Sequence, residues 1–318
     1  MTSNSPPEKN KLSLLWLGFG QIGRQFSTLS SASSFDITAL TRNCSQVDLS
    51  ANPIHDSPNL SKFSSSVHYL CSSVQETHNY EHLFDNPNLS VVISLTPKTR
   101  SDQGYREAYV EPIVELSNLI KRKNITPKRV VFVSSTSVYA QDDGSVVDES
   151  SATTPVGFAG ARMLEAEQVL LNACSTAVIV RFSGIYGPGR FRLLDSVLQG
   201  QSSPGPGFGV NAYTNRIHQY DCAQVIAHVL TLEQPESIYI GSDDVSCTGG
   251  EIKRYLASAM GVEYAEEPIL PSNENQLRYT GKRLSNQRLK NSGYEFLYPS
   301  FREGYPEILE EYLRSKKA

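Results

Sequence analysis

Residues 12–24 read LSLLWLGFGQIGR, and this stretch decides the fold. An apolar run, Leu14 to Leu17, meets Gly18-Phe19-Gly20-Gln21-Ile22-Gly23 and then a helix-compatible segment. The pattern is G-x-G-x-x-G where a buried strand passes into a helix. Gly18 permits the tight turn, Gly20 places no Cβ where a pyrophosphate approaches the backbone, and Gly23 lets the helix pack close to the strand. The free N–H groups at the helix start complete an anion cradle. A glycine-rich turn in an unrelated α/β protein gives the same triplet, so the reading depends on the strand before it, the helix after it and a second strand at the right distance.

That second strand is Phe35 to Thr41, FDITALT, following a first helix expected over Gln21 to Ser30. In a dinucleotide fold the residue after this strand meets the adenosine ribose, an acid suiting the 2′-OH and an arginine a 2′-phosphate. Here the strand ends Thr41-Arg42-Asn43 with no acid in place, and Asp36 stands at its wrong end. Arg42 turns the expectation toward NADP, with NAD as the alternative; a solvated surface arginine is the bland reading of the same residue.

The whole chain bounds the rest. Its 318 residues allow one large α/β domain with a smaller lobe, and a net charge of -4 gives no nucleic-acid footprint. No apolar run reaches the ~20 residues of a spanning helix, so no membrane partner is expected. Residues 1–11 are polar, contain proline and lack an apolar signal core, so they read as a disordered lead-in. The five cysteines, Cys44, Cys71, Cys174, Cys222 and Cys247, are odd in number, widely spaced and without CxxC. Reduced thiols and a cytoplasmic location follow as expectations.

Further along, residues 43–66 read as irregular, Val67 to Leu70 as a third strand and Glu76 to Phe84 as a helix. His78-Asn79-Tyr80-Glu81-His82 matches H-x-x-E-H, a spacing that can put two imidazoles on one helical face for zinc. The segment is polar and on an outer helix, so a solvated face is expected and no metal. Ser90 to Leu95 is a fourth strand, followed by Thr96; Asp102 to Lys123 is a long helix despite Gly104 and Pro112. Arg129 to Ser135, RVVFVSS, is nearly all apolar and fits the centre of a parallel sheet. It runs into Thr136-Ser137-Val138-Tyr139, hydroxyls at the strand end where open α/β sheets bind ligands.

At this point the chain resembles the extended short-chain dehydrogenase/reductases of the NAD(P)-dependent epimerase/dehydratase type. The resemblance covers about Leu12 to Gly304 and is carried by LGFGQIG, VVFVSSTSVYA, RMLEAEQVL, VRFSGIYGPGR and NRIHQYDCAQVIAHVL, with a weaker match in KRLSNQRLKNSGYEFLYPSFREG. It implies a Rossmann-type doubly wound parallel sheet with a small mixed C-terminal substrate lobe. The dinucleotide domain would span 12–186 with returning segments at about 211–245, and the lobe mainly 187–318. Together with the opening motif it assigns the cofactor to Gly18, Phe19, Gly20, Gln21, Ile22, Gly23, Thr41, Arg42, Leu95, Thr96, Ser134, Gly184 and Ile185. Ser135 and Thr136 become the candidate catalytic hydroxyls, and Tyr186, Arg190, Arg216 and His218 border the substrate. The bland readings are a surface salt bridge for Arg216 and a structural hydrogen bond near Asp221 for His218.

Two departures stand out. Leu17 occupies the first glycine place of the G-x-x-G-x-x-G usual in this branch. The family's Tyr-x-x-x-Lys pair falls on Ala159 and Met163, and shifted registers give Phe158 or Gly160 with Arg162, so no register supplies both a phenol and an ammonium. Tyr139 and Tyr186 are the nearest phenols that could substitute. Ser202 to Gly209 reads as a flexible loop, Arg190 and Arg192 as opening a helix, Ile238 to Ile240 as a strand and Thr248 as the cap of a helix over Gly249 to Met260. The last helix is expected over Tyr305 to Lys316. The expected partner is a small-molecule substrate such as a sugar or nucleotide-sugar, with a homodimer as a candidate assembly. The expected activity is that of an oxidoreductase or epimerase, and the alternative is a dinucleotide-binding sensor or interaction module without catalysis.

Overall fold

The computed structural model describes residues 11–42, 67–200, 210–264 and 279–316. The expected lead-in before Lys11, the irregular segment 43–66, the loop 202–209 and Cys44 lie outside the described residues. The strands are β1 (Leu12–Leu17), β2 (Phe35–Thr41), β3 (Val67–Cys71), β4 (Ser90–Ile93), β5 (Arg129–Ser135), β6 (Val146–Val147), β7 (Ala177–Phe182), β8 (Gly184–Tyr186), β9 (Ala212–Thr214), β10 (Arg216–His218), β11 (Ile238–Gly241), β12 (Cys247–Thr248), β13 (Thr280–Gly281) and β14 (Arg283–Leu284). The helices are α1 (Gln21–Ser27), α2 (Asp102–Tyr105), α3 (Glu111–Lys123), α4 (Phe158–Ala173), α5 (Arg192–Leu198), α6 (Gln219–Thr231), α7 (Gly249–Met260), α8 (Gln287–Asn291) and α9 (Phe301–Ser315).

A seven-stranded sheet runs β11-β7-β5-β4-β1-β2-β3, with parallel pairing at β1–β2, β1–β4, β2–β3, β4–β5 and β7–β11. Continuous apolar runs such as Leu14–Leu17 and Val91–Ile93 are buried on both faces, as a helix-covered parallel sheet requires. The chain goes from β1 to β2 and β3 on one side and returns to β4 and β5 on the other. The order therefore reverses between β1 and β4, leaving a crevice outside their carboxyl ends.

Contacts divide the chain into two units, each made of several segments. One comprises Met1–Val133, Glu165–Val178 and Ile226–Glu233; the other comprises Ser134–Leu164, Ile179–Val225 and Gln234–Ala318. The second unit takes the last residues of β5 and most of β7, because the strand ends carry the loops of that unit.

Several elements differ from expectation for local reasons. Helix α1 stops at Ser27, where Ser27 Oγ donates to the Arg24 carbonyl at 2.8 Å and Thr28 Oγ1 to the Gln25 carbonyl at 2.7 Å; such hydroxyls compete with helix continuation. The segment expected as a helix over Glu76 to Phe84 is instead two 3₁₀ turns, Thr77–Asn79 and Glu81–Asp85. Its polar groups are spent locally: the Glu76 carboxylate accepts from the Ser73 amide at 2.9 Å, and the Asn79 amide donates to Ser72 Oγ at 2.9 Å. The H-x-x-E-H spacing thus sits on no helical face. The helix expected over Asp102 to Lys123 contains a π turn at Arg106–Val110, where the Glu111 amide bonds the Arg106 carbonyl. Pro112 has no N–H for the Ala108 carbonyl, which explains the wider turn. Helix α5 begins at Arg192, with Arg190 left in the preceding turn, its amide on the Gly187 carbonyl at 3.1 Å. Helix α9 begins earlier than expected, at Phe301, capped by Ser300. Cys71 is disulfide-bonded, correcting the expectation of reduced thiols throughout; spacing along the chain does not reveal that Cys71 ends an edge strand beside Thr41. Cys174, Cys222 and Cys247 are free and buried.

The His218-x-x-Asp221 segment is structural at its acid. Asp221 is fully buried in the first turn of α6 and accepts from Tyr294 Oη (2.8 Å), the Leu297 amide (2.9 Å) and the Tyr298 amide (3.0 Å). It ties the 294–298 segment to α6. Asp221→Ala strands these donors in the interior and is expected to lower the unfolding free energy by about 3–5 kcal/mol; urea denaturation of the two proteins measures it.

Candidate functional site

The chain leaves β1 through Gly18, whose φ is +83°. A Cβ there would lie 2.5 Å from the Ser94 carbonyl oxygen and 2.8 Å from Leu95 Cδ2. The Gly18 amide bonds the Leu40 carbonyl at 3.3 Å, and the Ser94 amide bonds Leu17 at 2.9 Å, so the elbow is pinned to the ends of β2 and β4. At Gly20 a Cβ would meet nothing within 4 Å: the backbone is open on that side, as a cradle for a pyrophosphate requires. The first bond of α1 runs from the Arg24 amide to the Gly20 carbonyl at 3.0 Å. The amides of Gln21, Ile22 and Gly23 precede it and have no intrahelical acceptor. Gly23 serves a different purpose from the one expected. A Cβ there would lie 2.7 Å from Phe19 Cδ2, so this glycine makes room for the Phe19 ring. That ring packs edge-on against Trp16 at 5.7 Å and Tyr69 at 5.8 Å.

A cavity of about 700 Å³ opens at this elbow, in the first unit, within the ~300–1,000 Å³ range of small-molecule sites. Gly18, Phe19, Gly20, Thr41, Arg42, Leu95 and Thr96, all expected, line it together with Leu40 and Ser94. Gln21, Ile22 and Gly23 lie outside its lining, as do Ser134, Gly184 and Ile185, which belong to the second unit. The wall also includes residues that sequence reasoning missed. Ser72 to Gln75 follow β3, Lys98 follows β4, and Glu107, Ala108 and Glu111 come from the π turn and α3. The signal available was topological: every loop after a parallel strand beside the reversal reaches the same crevice. Arg42 and Lys98 are exposed cations on this wall. The two carboxylates have partners on their own helix: Glu107 Oε1 accepts from Gln103 Nε2 at 2.9 Å, and Glu111 lies 3.8 Å from Arg106 Nε. Gln75 Nε2 reaches the Glu107 carbonyl at 3.3 Å, joining the two sides of the wall.

In the second unit, Ser134 is buried and Ser135 and Thr136 are half-buried. Ser135 Oγ accepts the Ser137 amide at 3.2 Å, which leaves its O–H able to donate to a ligand oxygen. Tyr139 is packed, 2% exposed, with its hydroxyl taken by Arg181 Nη1 at 2.7 Å. The first turn of α4 lies directly on this turn, since a Cβ at Gly160 would collide with the Ser137 carbonyl. Met163 is 3% exposed, and Ala159 is half-buried.

The residues expected to border the substrate are mostly turned inward. Tyr186 is 4% exposed, stacks on Tyr305 at 4.9 Å and donates to the Ser300 carbonyl at 3.2 Å. Arg216 is 6% exposed, its guanidinium on Thr214 Oγ1 at 2.6 Å and Cys247 Sγ at 3.4 Å. His218 is buried against Tyr298, with ring centroids 3.9 Å apart; its Nδ1 accepts the Tyr220 amide at 3.3 Å, and among the described residues its Nε2 has no partner. Period-two alternation explains this: Arg216 and His218 share one face of β10, and Tyr186 pairs with His218 across β8. Arg190 is exposed.

The family model of the RmlD substrate binding domain matches residues 13–313. Protein YeeZ of Escherichia coli K12 is 30% identical over 213 residues, covering 66% of this chain and 72% of YeeZ. Among solved structures, a Methylobacillus flagellatus protein described as an NAD-dependent epimerase/dehydratase matches with a TM-score of 0.70 at 30% identity, over 96% of this chain and 100% of that one. Bordetella bronchiseptica WbmG, solved with NAD, shares the fold at a TM-score of 0.73 and 14% identity, over 97% of this chain and 96% of WbmG.

Burial also shapes the pH response. Asp243 is 3% exposed, and the Val245 amide and the Arg216 charge favour its carboxylate against burial. Burial raises its pKa to about 8 from 3.8, against the pull of Arg216. Burial lowers His218 to about 3 from 6.5. Folded Asp243 keeps a proton that the unfolded chain releases above 3.8, so its contribution to stability is lost as pH rises toward 8. His218 acts oppositely, costing stability as pH falls below 6.5. The two oppose each other at acid pH, and the loss due to Asp243 stands alone between about 6.5 and 8. Over that window the unfolding free energy is expected to fall by at most ~1.4 kcal/mol per pH unit. Asp243→Asn is expected to flatten the slope; urea melts at several pH values measure both.

Proposed function

Because the chain belongs to the RmlD substrate-binding domain family, within the extended short-chain dehydrogenase/reductases, we propose that it binds a pyridine dinucleotide at the Gly18–Gly20 elbow and acts on a nucleotide-sugar or a related carbonyl or hydroxyl compound. The observation that carries this is the open backbone at Gly20 beside a cavity lined by the ends of β1, β2 and β4. Structures of the same fold support the substrate class: MoeE5 was solved with UDP-glucose and NAD, and WbmG with NAD and UDP. NADP is the preferred cofactor. Strand β2 ends in Thr41-Arg42 with no acid, and Arg42 lies on the cavity wall with the hydroxyls of Ser72 and Ser73 close in the same lining. A guanidinium meets a 2′-phosphate with charge-assisted hydrogen bonds that a 2′-OH does not offer.

The bound dinucleotide would supply the hydride chemistry. The chain's part is to orient: Gly18 and Gly20 admit the pyrophosphate, Arg42 selects the ribose, and the Ser135 hydroxyl, with Thr136 beside it, donates to a substrate oxygen. A second reading is a dinucleotide-binding sensor or interaction module, and a specific observation favours it. The place of the family's ammonium holds Met163, a buried side chain with no titratable group, and the place of the phenol holds Ala159.

Arg42→Ala is expected to weaken NADP binding ~10- to 100-fold while changing NAD binding less than ~3-fold; calorimetry with both nucleotides checks this, and equal losses refute the role of Arg42. Turnover separates the two readings. Proton NMR of UDP- and dTDP-sugars incubated with the cofactor-loaded wild type, read beside the nicotinamide absorbance so that both redox-neutral and net redox turnover register, should show conversion, at least ~100-fold slower in Ser135→Ala. Tight cofactor binding without turnover over that panel establishes the sensor.

A further inference from the structure

The inward turn of Arg216 leaves an anionic substrate without the cation that the family resemblance would give it. We propose that Lys282 takes that place and contacts the diphosphate of a nucleoside-diphosphate sugar; the inference rests on the substrate class proposed above. Lys282 stands beside the same piece of backbone. Asn215, the residue before Arg216, donates from Nδ2 to the Lys282 carbonyl at 2.8 Å and accepts the Leu284 amide at 2.9 Å.

The backbone that delivers Lys282 is clamped on both sides. The Gly281 amide donates to Asp142 Oδ1 at 2.6 Å, its carbonyl accepts the Gly144 amide at 2.7 Å, and the Arg283 amide bonds the Ser145 carbonyl at 2.9 Å. Gly281 itself has φ +72°, and a Cβ there would lie 2.5 Å from the Tyr213 carbonyl oxygen. Lys282 is held between the paired strands β13 and β14, and a stem fixed in this way lowers the ordering cost of a contact made by its ammonium.

The ammonium is held short of full satisfaction. Lys282 is half-buried, and one N–H donates to the Tyr139 carbonyl at 2.9 Å. Among the described residues no other side-chain hydrogen bond of Lys282 is formed, so two of the three ammonium donors remain for a ligand. Tyr139 closes the turn that begins at Ser135, its amide on the Thr136 carbonyl at 3.3 Å. The ammonium is thus anchored at the end of the same turn as the candidate hydroxyls. Burial lowers the pKa of Lys282, with the Asp142 carboxylate opposing. Asp142 is the acid facing this group, and its oxygen is already engaged by the Gly281 amide. A partly desolvated cation with spare donors gains by receiving an anion, and phosphate oxygens give the stronger charge-assisted bonds. Arg216 cannot compete, because rotating it outward would strip Thr214 and Cys247 of its guanidinium and leave Asp243 without its neighbouring cation.

The test is calorimetric titration of the full chain with UDP-glucose, UDP and NADP, in the wild type, Lys282→Met and Lys282→Arg. The expected result is a loss of at least ~10-fold in affinity for UDP-glucose and UDP in the Met variant, less than ~3-fold in the Arg variant, and NADP affinity unchanged in both. Unchanged UDP-glucose affinity in the Met variant overturns the role of Lys282 and leaves the nucleotide-sugar reading standing. A wild type that binds NADP but neither UDP nor UDP-glucose overturns the substrate class together with this inference. Should the Met variant fail to fold, lysine side-chain NMR of the wild type decides, with the Lys282 signal assigned from the Arg variant: a shift on adding UDP supports the contact, and a signal unmoved at saturation overturns it.

Discussion

The structure depends on one crowded crossing, where the backbone at Gly18 passes under the Ser94 carbonyl. No side chain fits there, and the positive φ that turns the chain out of β1 excludes most residues even where space allows. The crossing lies between the ends of β2 and β4, the two strands that flank β1 on opposite sides of the reversal in strand order. Hydrogen bonds from Gly18 to Leu40 and from Ser94 to Leu17 fasten it to both. The cavity exists because three strand ends meet at an elbow with no side chain in it. The wall residues from β2, β4 and the loop after β3 are positioned by the sheet, while Gly18 and Gly20 keep the middle empty.

Much of this was legible in the residues. The spans of β2, β5 and β7 are readable from their apolar and β-branched runs, because the middle of a strand covered on both faces is mostly apolar. The cap at Thr248 was equally readable, and it forms a full capping box with Glu251. What escaped was non-local or depended on a missing group. Nothing in the run from Glu76 to Asp85 announces that Glu76 and Asn79 will bond the Ser72–Ser73 loop, or that Glu81 and Asp85 will pair with Arg122 and Lys123. The π turn follows from Pro112 lacking an N–H, but its effect, the placing of Glu107 and Ala108 on the cavity wall, depends on where α3 meets the sheet. Gly23 was visible as a glycine; its partner, the Phe19 ring, was not.

The second unit shows how far a resemblance carries. It placed Tyr186, Arg216 and His218 beside the substrate, and on β8 and β10 their side chains are buried. The face they share packs against α9, where Gly304 lets Tyr186 approach and Tyr305 stacks on it. Once α9 covers that face, a guanidinium on it has to find partners inside, and Thr214, Cys247 and the nearby Asp243 supply them. Position along a strand is inherited from the fold, whereas the direction of a side chain follows from what covers its face.

The same distinction bears on the missing proton relay. If α4 had drifted away from the Ser135 turn, the lack of a phenol and an ammonium would be a matter of geometry, and another element could have filled the gap. The helix has not drifted: Gly160 lies against the Ser137 carbonyl so closely that no Cβ would fit. The scaffold that would carry such a pair is intact, and only the side chains have changed, to a small one at Ala159 and a buried apolar one at Met163. Met163 is 3% exposed, so an ammonium introduced there would be desolvated, and a single substitution would not restore the pair without that cost.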